Sequence, residues 1–371
     1  MWLLALVLLL TLGTAVVAWR ARRNDELVPT LEVLQDIAPA TISLVIPARN
    51  EADNLRGLLP TCLAQTRVPD EIIVVDDDSS DATAVVALEL GAEVLRLTHL
   101  PDGWTGKAHA CHSGALRARS EWLLFLDADV RLAPHALAAA SGAAQAHDLV
   151  VLSLLLHQRC DSWQERLLIP FAYAQYFVGA PVSAHFQAKR PEAIMNGQFI
   201  LMQRAAYLAS GGFARVPQAV MEDLAFGGAL KRDGVPIGFA HGEALADVRM
   251  YRSFAELWQG FAKTSLASLA YDRRGGLWTA LALCTSSMIL PVALAGVVEA
   301  NLAASLLALA AYALAAAHVS RWTKRYRVPS VYALLYPLAA DLMLLIALSA
   351  LLRRWSGRGV QWKGRVLEAR A

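Results

Sequence analysis

Hydrophobic and polar positions divide the chain into three zones. Residues 2–19 are an unbroken run without charge, about the 20-residue length that an α-helix needs to cross a bilayer. Arg20, Arg22 and Arg23 follow at once. A signal peptide carries its positive charge before the apolar run, and here the charge comes after it. Residues 1–20 therefore read as an uncleaved anchor whose C-terminal side is cytoplasmic by the positive-inside rule. The far end is apolar again, with spans at 277–298 and 302–320 separated by Glu299 and Asn301. Arg273 and Arg274 precede this pair, and Arg321, Lys324, Arg325 and Arg327 follow it. Both flanks read cytoplasmic, which makes the pair a hairpin. A third stretch, 331–352, carries Pro337 and Asp341 near its middle. If it spans, the basic tail 353–371 (Arg353, Arg354, Arg358, Lys363, Arg365) ends outside, against the charge rule. A helix broken at Pro337 that re-enters keeps the tail inside, and both topologies stay open. Asp341 is costly in lipid and should face protein or water.

Between these zones, 30–271 has the pattern of a globular α/β domain. Residues 41–46 are a short β-rich apolar run ended by Pro47. Leu55, Leu58, Leu59, Cys62 and Leu63 then recur at three and four residues, the spacing of a helix face. Further strands are predicted at 71–75, 93–97 and 122–126, with a helix at 82–90 that stops at Gly91. Strands apolar throughout, alternating with helices, predict a parallel sheet covered on both faces. Ligands of such sheets bind beyond the carboxyl ends of the strands. Those ends carry residues 47–51, 76–78 and 127–129, which are mostly polar or acidic.

Composition sharpens the class. Of the 371 residues, 56% are hydrophobic and 18% charged, which excludes a disordered chain and a coiled coil and argues against a wholly soluble protein. The formal net charge of +2, from 34 basic and 32 acidic residues, is too balanced for a nucleic-acid binder. Cys62, Cys111, Cys160 and Cys284 show no C-x-x-C spacing, so they predict reduced thiols and no zinc knuckle or disulfide framework. Neither G-x-G-x-x-G nor the P-loop signature is present, which removes support for dinucleotide and P-loop sites.

Five segments carry candidate chemistry. Asp127 and Asp129, two apart just past a buried strand, can share one hard divalent cation, Mg2+ or Mn2+; aspartates also end strands for turn geometry alone. Asp76, Asp77 and Asp78 are adjacent carboxylates that repel one another unless a ligand or cation offsets them. Ser80 or Asp81 as a helix cap accounts for only part of that run. Lys107 follows Gly103 and Gly106 into a helical pattern and is a candidate anion contact. His109 and His112 stand three apart, a spacing that suits ligands and core histidines alike. Glu222 and Asp223 open an apolar helix, where they complement its dipole or hold a general base at a site mouth. Arg249 and Arg252 precede Trp258 and the membrane hairpin, placed either to pair a diphosphate or to sit at the cytoplasmic interface.

In order and spacing these segments resemble family 2 glycosyltransferases of the GT-A fold, over residues 41–265. Residues 45–51 (Val-Ile-Pro-Ala-Arg-Asn-Glu) look like the family's first-strand motif, and 75–79 (Val-Asp-Asp-Asp-Ser) like its nucleotide-reading acidic motif. Asp127-Ala128-Asp129 looks like the metal D-x-D. Asn196, Gly197 and Gln198, with Arg204 and residues 211–213 (Gly-Gly-Phe), are similar to its acceptor-side segment. Glu222 and Asp223 match the pair whose aspartate is the catalytic base. The resemblance implies that Pro47, Arg49, Glu51, Val75, Asp76 and Asp77 line the nucleobase and ribose. It implies that Lys107 approaches the donor phosphates and that Asp127 and Asp129 hold the cation, with Arg249 and Arg252 as further donor-binding candidates. Asn196, Gly197, Gln198 and Trp258 would face the acceptor. Position 49, often tyrosine in related enzymes, is arginine here. Residues 258–263 (Trp-Gln-Gly-Phe-Ala-Lys) depart from the Q-x-x-R-W of processive synthases, which argues against a polymer-making enzyme. Residues 101–107, 249–251 and 362–365 look most like bacterial carotenoid-acid glycosyltransferases, with hopanoid-associated enzymes similar. The expectation is a metal-dependent, inverting transfer from a nucleotide-sugar, UDP-linked by preference, to a lipid or isoprenoid acceptor at the cytoplasmic face of the cell membrane. The alternatives are a polyprenyl-phosphate acceptor, or a nucleotide-sugar-binding membrane protein without catalysis.

Overall fold

The computed structural model describes residues 2–31, 40–187, 190, 192–356, 360–362 and 365–367. Arg358, Lys363 and residue 364 of the tail lie outside the described residues. The fold consists of two units: 28–158 with 184–250, and 1–27 with 159–183 and 251–371.

Successive side chains of a strand point to opposite faces, so an all-apolar strand must be covered twice. In the first unit Leu44, Ile46, Leu124, Leu126, Leu152 and Leu154 bury on one face of the sheet with Leu55, Leu58 and Leu59. Val45, Val75, Leu123 and Phe125 bury on the other face with Ala108, Cys111, Tyr207 and Phe213. The strands are β1 (Ile42–Ala48), β2 (Glu71–Asp77), β3 (Glu93–Leu97), β4 (Trp122–Leu126), β5 (Val130–Leu132), β6 (Val151–Leu155), β7 (His157–Gln158), β8 (Phe199–Gln203), β9 (Ile237–His241) and β10 (Ala246–Val248). The helices are α2 (Ala52–Leu63), α3 (Thr83–Glu89), α4 (Gly106–Arg117), α5 (Ala136–Ala146), α8 (Arg204–Ala209) and α9 (Glu222–Arg232), with a 3-10 turn at Gly212–Arg215. Seven strands form one sheet in the order β3-β2-β1-β4-β8-β6-β9. Its pairs are parallel except that β8 runs against β4 and β6. A second sheet joins β5, β10 and β7.

The sequence reading ends the first strand at Pro47, but β1 continues through Pro47 and Ala48, which pair with Val75 and Asp76. The β4 register stops at Val45, so Pro47 is paired on its β2 side alone, a strand-edge position that tolerates a residue without an N–H.

The second unit contains α1 (Trp2–Leu27), α6 (Trp163–Gly179), α10 (Phe254–Tyr271), α11 (Arg273–Val298), α12 (Leu302–Arg325), α13 (Val331–Leu334) and α14 (Tyr336–Trp355); the short α7 (Val182–His185) falls at the division of the chain. Among the described residues, α1, α11, α12 and α14 are long and apolar enough to cross a membrane. The sequence reads 30–271 as one stretch, whereas 159–183 and 251–271 group with these apolar helices. The reason is visible in α6: Phe177 stacks on Trp322 at 4.9 Å and Tyr173 meets Tyr326 edge-on at 5.3 Å. α1 runs on through its arginines to Leu27, and buried Asp25 pairs with Arg325 at 2.6 Å and Arg321 at 3.3 Å. The C-terminal ends of α1 and α12 therefore lie at one end of the bundle. A Cβ on Gly275, in the first turn of α11, would approach the Gly179 carbonyl, so the start of α11 shares that basic end.

The third apolar stretch is not one helix. It breaks at Leu335 rather than at Pro337, and Pro337 lies in the first turn of α14, where a missing N–H costs nothing. The Tyr312 hydroxyl donates to the Leu334 carbonyl, and the Tyr312 ring lies 5.2 Å from Tyr336. Tyr312 is thirteen residues, about 20 Å of helix, above Arg325. From this level α14 packs along α6, α10 and α11, and α10 leads into the basic start of α11. β11 (Val360–Trp362), paired with β12 (Arg365–Leu367), also packs on α10. The third apolar stretch is thus divided at Leu335 into the short α13 and the longer α14. Asp341, in the second turn of α14, is exposed, not turned against protein as one of the two expected settings would have it.

Candidate active site

Because β1, β2 and β4 are parallel, their carboxyl ends bring residues 47–51, 75–78 and 127–129 to one edge of the sheet. The β1 and β2 loops interlock. Asn50 and Asp78 both adopt left-handed backbone conformations (φ 55° and 56°), which Asn and Asp accept most readily after glycine. The Asn50 N–H donates to the Ser79 hydroxyl at 2.9 Å, and the Ser80 N–H donates to the Asn50 side-chain oxygen at 2.8 Å. The Arg49 guanidinium donates to the Asp77 carbonyl at 2.7 Å and lies 3.7 Å from the Asp78 carboxylate. Asp76 and Asp77 are buried. Asp76 accepts from the Ser79 N–H at 3.1 Å and faces Arg96 at 3.7 Å. Asp81 is the structural member of the acidic run. Burial pushes it up, but the Thr83 hydroxyl and the N–H groups of Ala52 and Thr83 outweigh that and hold it below the usual carboxylate range. Glu51 braces the same edge, its N–H donating to the Thr83 hydroxyl at 2.8 Å.

The antiparallel β8 brings the 196–198 turn beside the D-x-D, where the Asp127 N–H reaches the Gln198 carbonyl at 3.3 Å. The Asn196 amide is spent on the Leu154 carbonyl (3.0 Å) and the Gln198 side chain (3.1 Å), so these two side chains hold the turn. Gly197 faces inward. Its N–H donates to Asp223 Oδ2 at 2.7 Å, and a Cβ there would lie 3.1 Å from both Asp223 Oδ2 and Lys107 Nζ. Lys107, in the first turn of α4, places its ammonium 2.7 Å from Asp127 Oδ1 and 3.4 Å from Glu222 Oε1. Lys107, Asp127, Gly197, Glu222 and Asp223, from four separate stretches of chain, thus converge on one spot. Asp223 also accepts from its own helix at the Leu224 N–H, 2.8 Å away.

The electrostatics follow from this crowding. Burial and then Glu222 push the Asp223 carboxyl up to about 6, while Lys107 and the two N–H donors pull the other way. Burial works against the Lys107 charge, yet Asp127 and Glu222 outweigh it and hold the ammonium well above the usual lysine range. Arg249 follows β10 directly, its N–H facing the Asp129 carbonyl at 3.4 Å. Arg252 and Trp258 belong to the other unit; the Arg252 N–H donates to Glu256 at 2.8 Å, and Trp258 meets Phe254 edge-on at 5.8 Å.

Two residues went unread in the sequence. Arg131, on β5, straps the D-x-D turn by donating to the Val130 carbonyl at 2.6 Å, and its guanidinium fills the space over Gly57. Tyr207 accepts from the Phe213 N–H at 3.1 Å and bonds His112 Nδ1 at 3.0 Å, joining α4 to the turn before α9. That bond gives the half-buried His112 a structural partner. A lone basic residue two past the D-x-D and a tyrosine four before Gly211-Gly212 were the available signals. All four cysteines are free.

Residues 43–207 match the family described as Glycosyl transferase family 2. The chain is similar to the 4,4'-diaponeurosporenoate glycosyltransferase of Staphylococcus haemolyticus, 32% identical over 228 residues that cover 60% of each chain. It is likewise similar to the protein of that name from Staphylococcus aureus (strain MRSA252), 30% identical over 226 residues, again 60% of each. The matched region thus spans about 60% of the length of these relatives. Among solved structures, the mannosyltransferase PcManGT from Pyrobaculum calidifontis, in complex with GDP-Man and Mn2+, aligns over 94% of this chain and 99% of that one. Its TM-score is 0.54 at 18% identity, a likeness of fold. The mostly parallel sheet and the motifs seated at its strand ends give the GT-A fold, and within it residues 43–207 are similar to family 2 glycosyltransferases.

Proposed function

We propose that this protein transfers a sugar from a nucleotide-sugar to a hydrophobic acceptor of the carotenoid-acid class, with inversion at the anomeric carbon. The observation that carries the proposal is the convergence of Lys107, Asp127, Glu222 and Asp223 around Gly197, at the strand ends where such sheets bind ligands. Pro47, Arg49, Glu51, Val75, Asp76 and Asp77 would receive the nucleobase and ribose at the interlocked β1 and β2 loops. Lys107 and Arg249 would face the diphosphate, with Arg252 and Trp258 assigned to donor and acceptor by resemblance.

The donor set suits a divalent cation. Asp127 and Asp129 offer hard carboxylate oxygens of the kind that hold Mg2+ or Mn2+. Among the described residues no three His, Cys, Asp or Glu side chains gather as a ligand set. Two carboxylates alone leave most of the shell to other oxygens, which fits a cation completed by the donor diphosphate. Such a cation would neutralise charge on the leaving diphosphate.

The chain's own groups supply the rest. Lys107, kept charged, contacts the leaving diphosphate as negative charge builds there. Asp223, with its pKa near neutrality, takes the proton of the acceptor oxygen as that oxygen bonds to the anomeric carbon and the carbon–diphosphate bond breaks. A carboxylic acid held in a lipid phase is kept protonated by desolvation, so it too has a proton to give up. The four apolar helices would hold the enzyme where such an acceptor dissolves.

The test is release of labelled sugar from UDP-glucose and from GDP-mannose by the detergent-solubilised chain, with Mn2+, with EDTA, and in Asp127→Asn/Asp129→Asn. The expected result is Mn2+-dependent turnover of one donor that the double variant loses by at least 100-fold. Absence of both binding and turnover with UDP-, GDP- and dTDP-sugars overturns the proposal.

A further inference from the structure

We propose that Lys107 is the resident counter-ion of the acidic cluster, closing Asp127 to a free divalent cation until a nucleoside diphosphate draws the ammonium away. The inference rests on the donor-site reading above and concerns the order in which that site fills.

The Lys107 ammonium stands 2.7 Å from Asp127 Oδ1, on the carboxylate that a cation would need. A divalent ion there would sit a few ångströms from a fixed positive charge at half-buried depth, where screening by water is weak. The lysine has a second carboxylate in reach, Glu222 Oε1 at 3.4 Å, so it can leave Asp127 without losing every partner. It also has room to move, because Gly197 presents no Cβ, and one would lie 3.1 Å from Nζ. The base of the side chain stays put, since α4 is fixed against the sheet by buried Ala108, Cys111 and Ala115. What shifts is the long stem of a residue that binds as a point charge. A diphosphate brings the negative charge that both cations want. It accepts the ammonium and completes the divalent shell, so each ligand makes the other bind more tightly. That coupling is reciprocal by thermodynamic linkage. Glu222 thereby acquires a task distinct from that of Asp223: it holds the lysine near the site while Asp127 changes partners.

Mn2+ binding, read by the loss of the free-ion electron paramagnetic resonance signal, tests this on the full chain in detergent without turnover. The wild-type chain should bind Mn2+ weakly alone and at least tenfold more tightly with saturating UDP or GDP. Lys107→Met keeps the length and removes the charge; it should bind Mn2+ alone at least tenfold more tightly than wild type and lose most of the nucleotide enhancement. Lys107→Gln is a second neutral variant expected to do the same, and Lys107→Arg keeps the charge and should stay weak. Folding of each variant is checked by circular dichroism. Neutral variants that fold and bind free Mn2+ no better than wild type overturn the counter-ion role while leaving the donor site standing. Wild-type Mn2+ affinity that ignores both nucleotides overturns it too. If no form binds Mn2+ with or without UDP or GDP, the donor-site reading fails and the inference with it.

Discussion

Asp223 and Glu222 are neighbours of the same chemical type, and their surroundings give them different tasks. Asp223 accepts two backbone N–H groups and lies where burial and Glu222 raise its pKa to about 6, whereas Glu222 pairs with Lys107. The pair was legible in the sequence as a pair; the geometry separates the two roles. A base must be unprotonated to work, and a carboxylate raised to about 6 loses its charge as the pH falls through that value. Initial rates should therefore be flat above about pH 7 and drop roughly tenfold per unit well below pH 6. Asp223→Asn should lower kcat by about 10²- to 10⁴-fold and remove the acidic limb from what activity is left, with donor affinity little changed. A variant that keeps the limb would assign it to another group.

At the scale of elements, α4 is the piece on which the site depends. Gly103 and Gly106 ahead of Lys107 read in the sequence as an anion-binding loop. Gly106 does open the helix ahead of Lys107, but Gly114 serves packing, since a Cβ there would lie 2.5 Å from Val45 and 2.8 Å from Val75. Both valines sit in the core, and overpacking of this kind costs about 1–3 kcal/mol. Gly114→Ala should lower the denaturation midpoint accordingly. It should also weaken UDP binding, because the helix it displaces carries Lys107 and the strand it presses carries Val75. Unchanged nucleotide affinity in a destabilised Gly114→Ala chain would show that α4 has no part in the site. Strand positions were legible from apolar runs because both faces of the sheet are buried. The passage of β1 through Pro47 was not, since whether a proline can stay in a strand depends on which side is paired at that point.

For the whole molecule, the charge rule expects the basic segments on one side of a membrane, and the packing brings the basic end of α12 to the end of α1. Asp25 ties the end of α1 to the end of α12, and after the break at Leu335 α14 packs against α10. Reporter fusions after Tyr326 and after Ser356 should read the same side of the membrane, and a fusion after Ala300 the opposite side. Opposite sides for the first two would restore a full crossing by the third apolar stretch. The membership of α6 with these helices had no signature of its own. Its buried Leu, Ile and Phe positions look like any core helix until Phe177 is seen on Trp322 and Tyr173 against Tyr326.

By itself the sequence determined what depends on residue type and near neighbours: long apolar runs that seek lipid, buried strands, and the acidic and basic residues of the donor motifs. These follow from hydrophobic burial and from short-range spacing, which act along the chain. Tertiary structure decided what depends on residues distant in sequence and close in space. It placed Lys107 between Asp127 and Glu222, gave Asp223 the Gly197 N–H, set Tyr207 and Arg131 behind the site, and broke the last apolar segment at Leu335. A carboxylate's pKa and a lysine's partner are properties of the field around them, and that field exists only once the strands have been brought side by side.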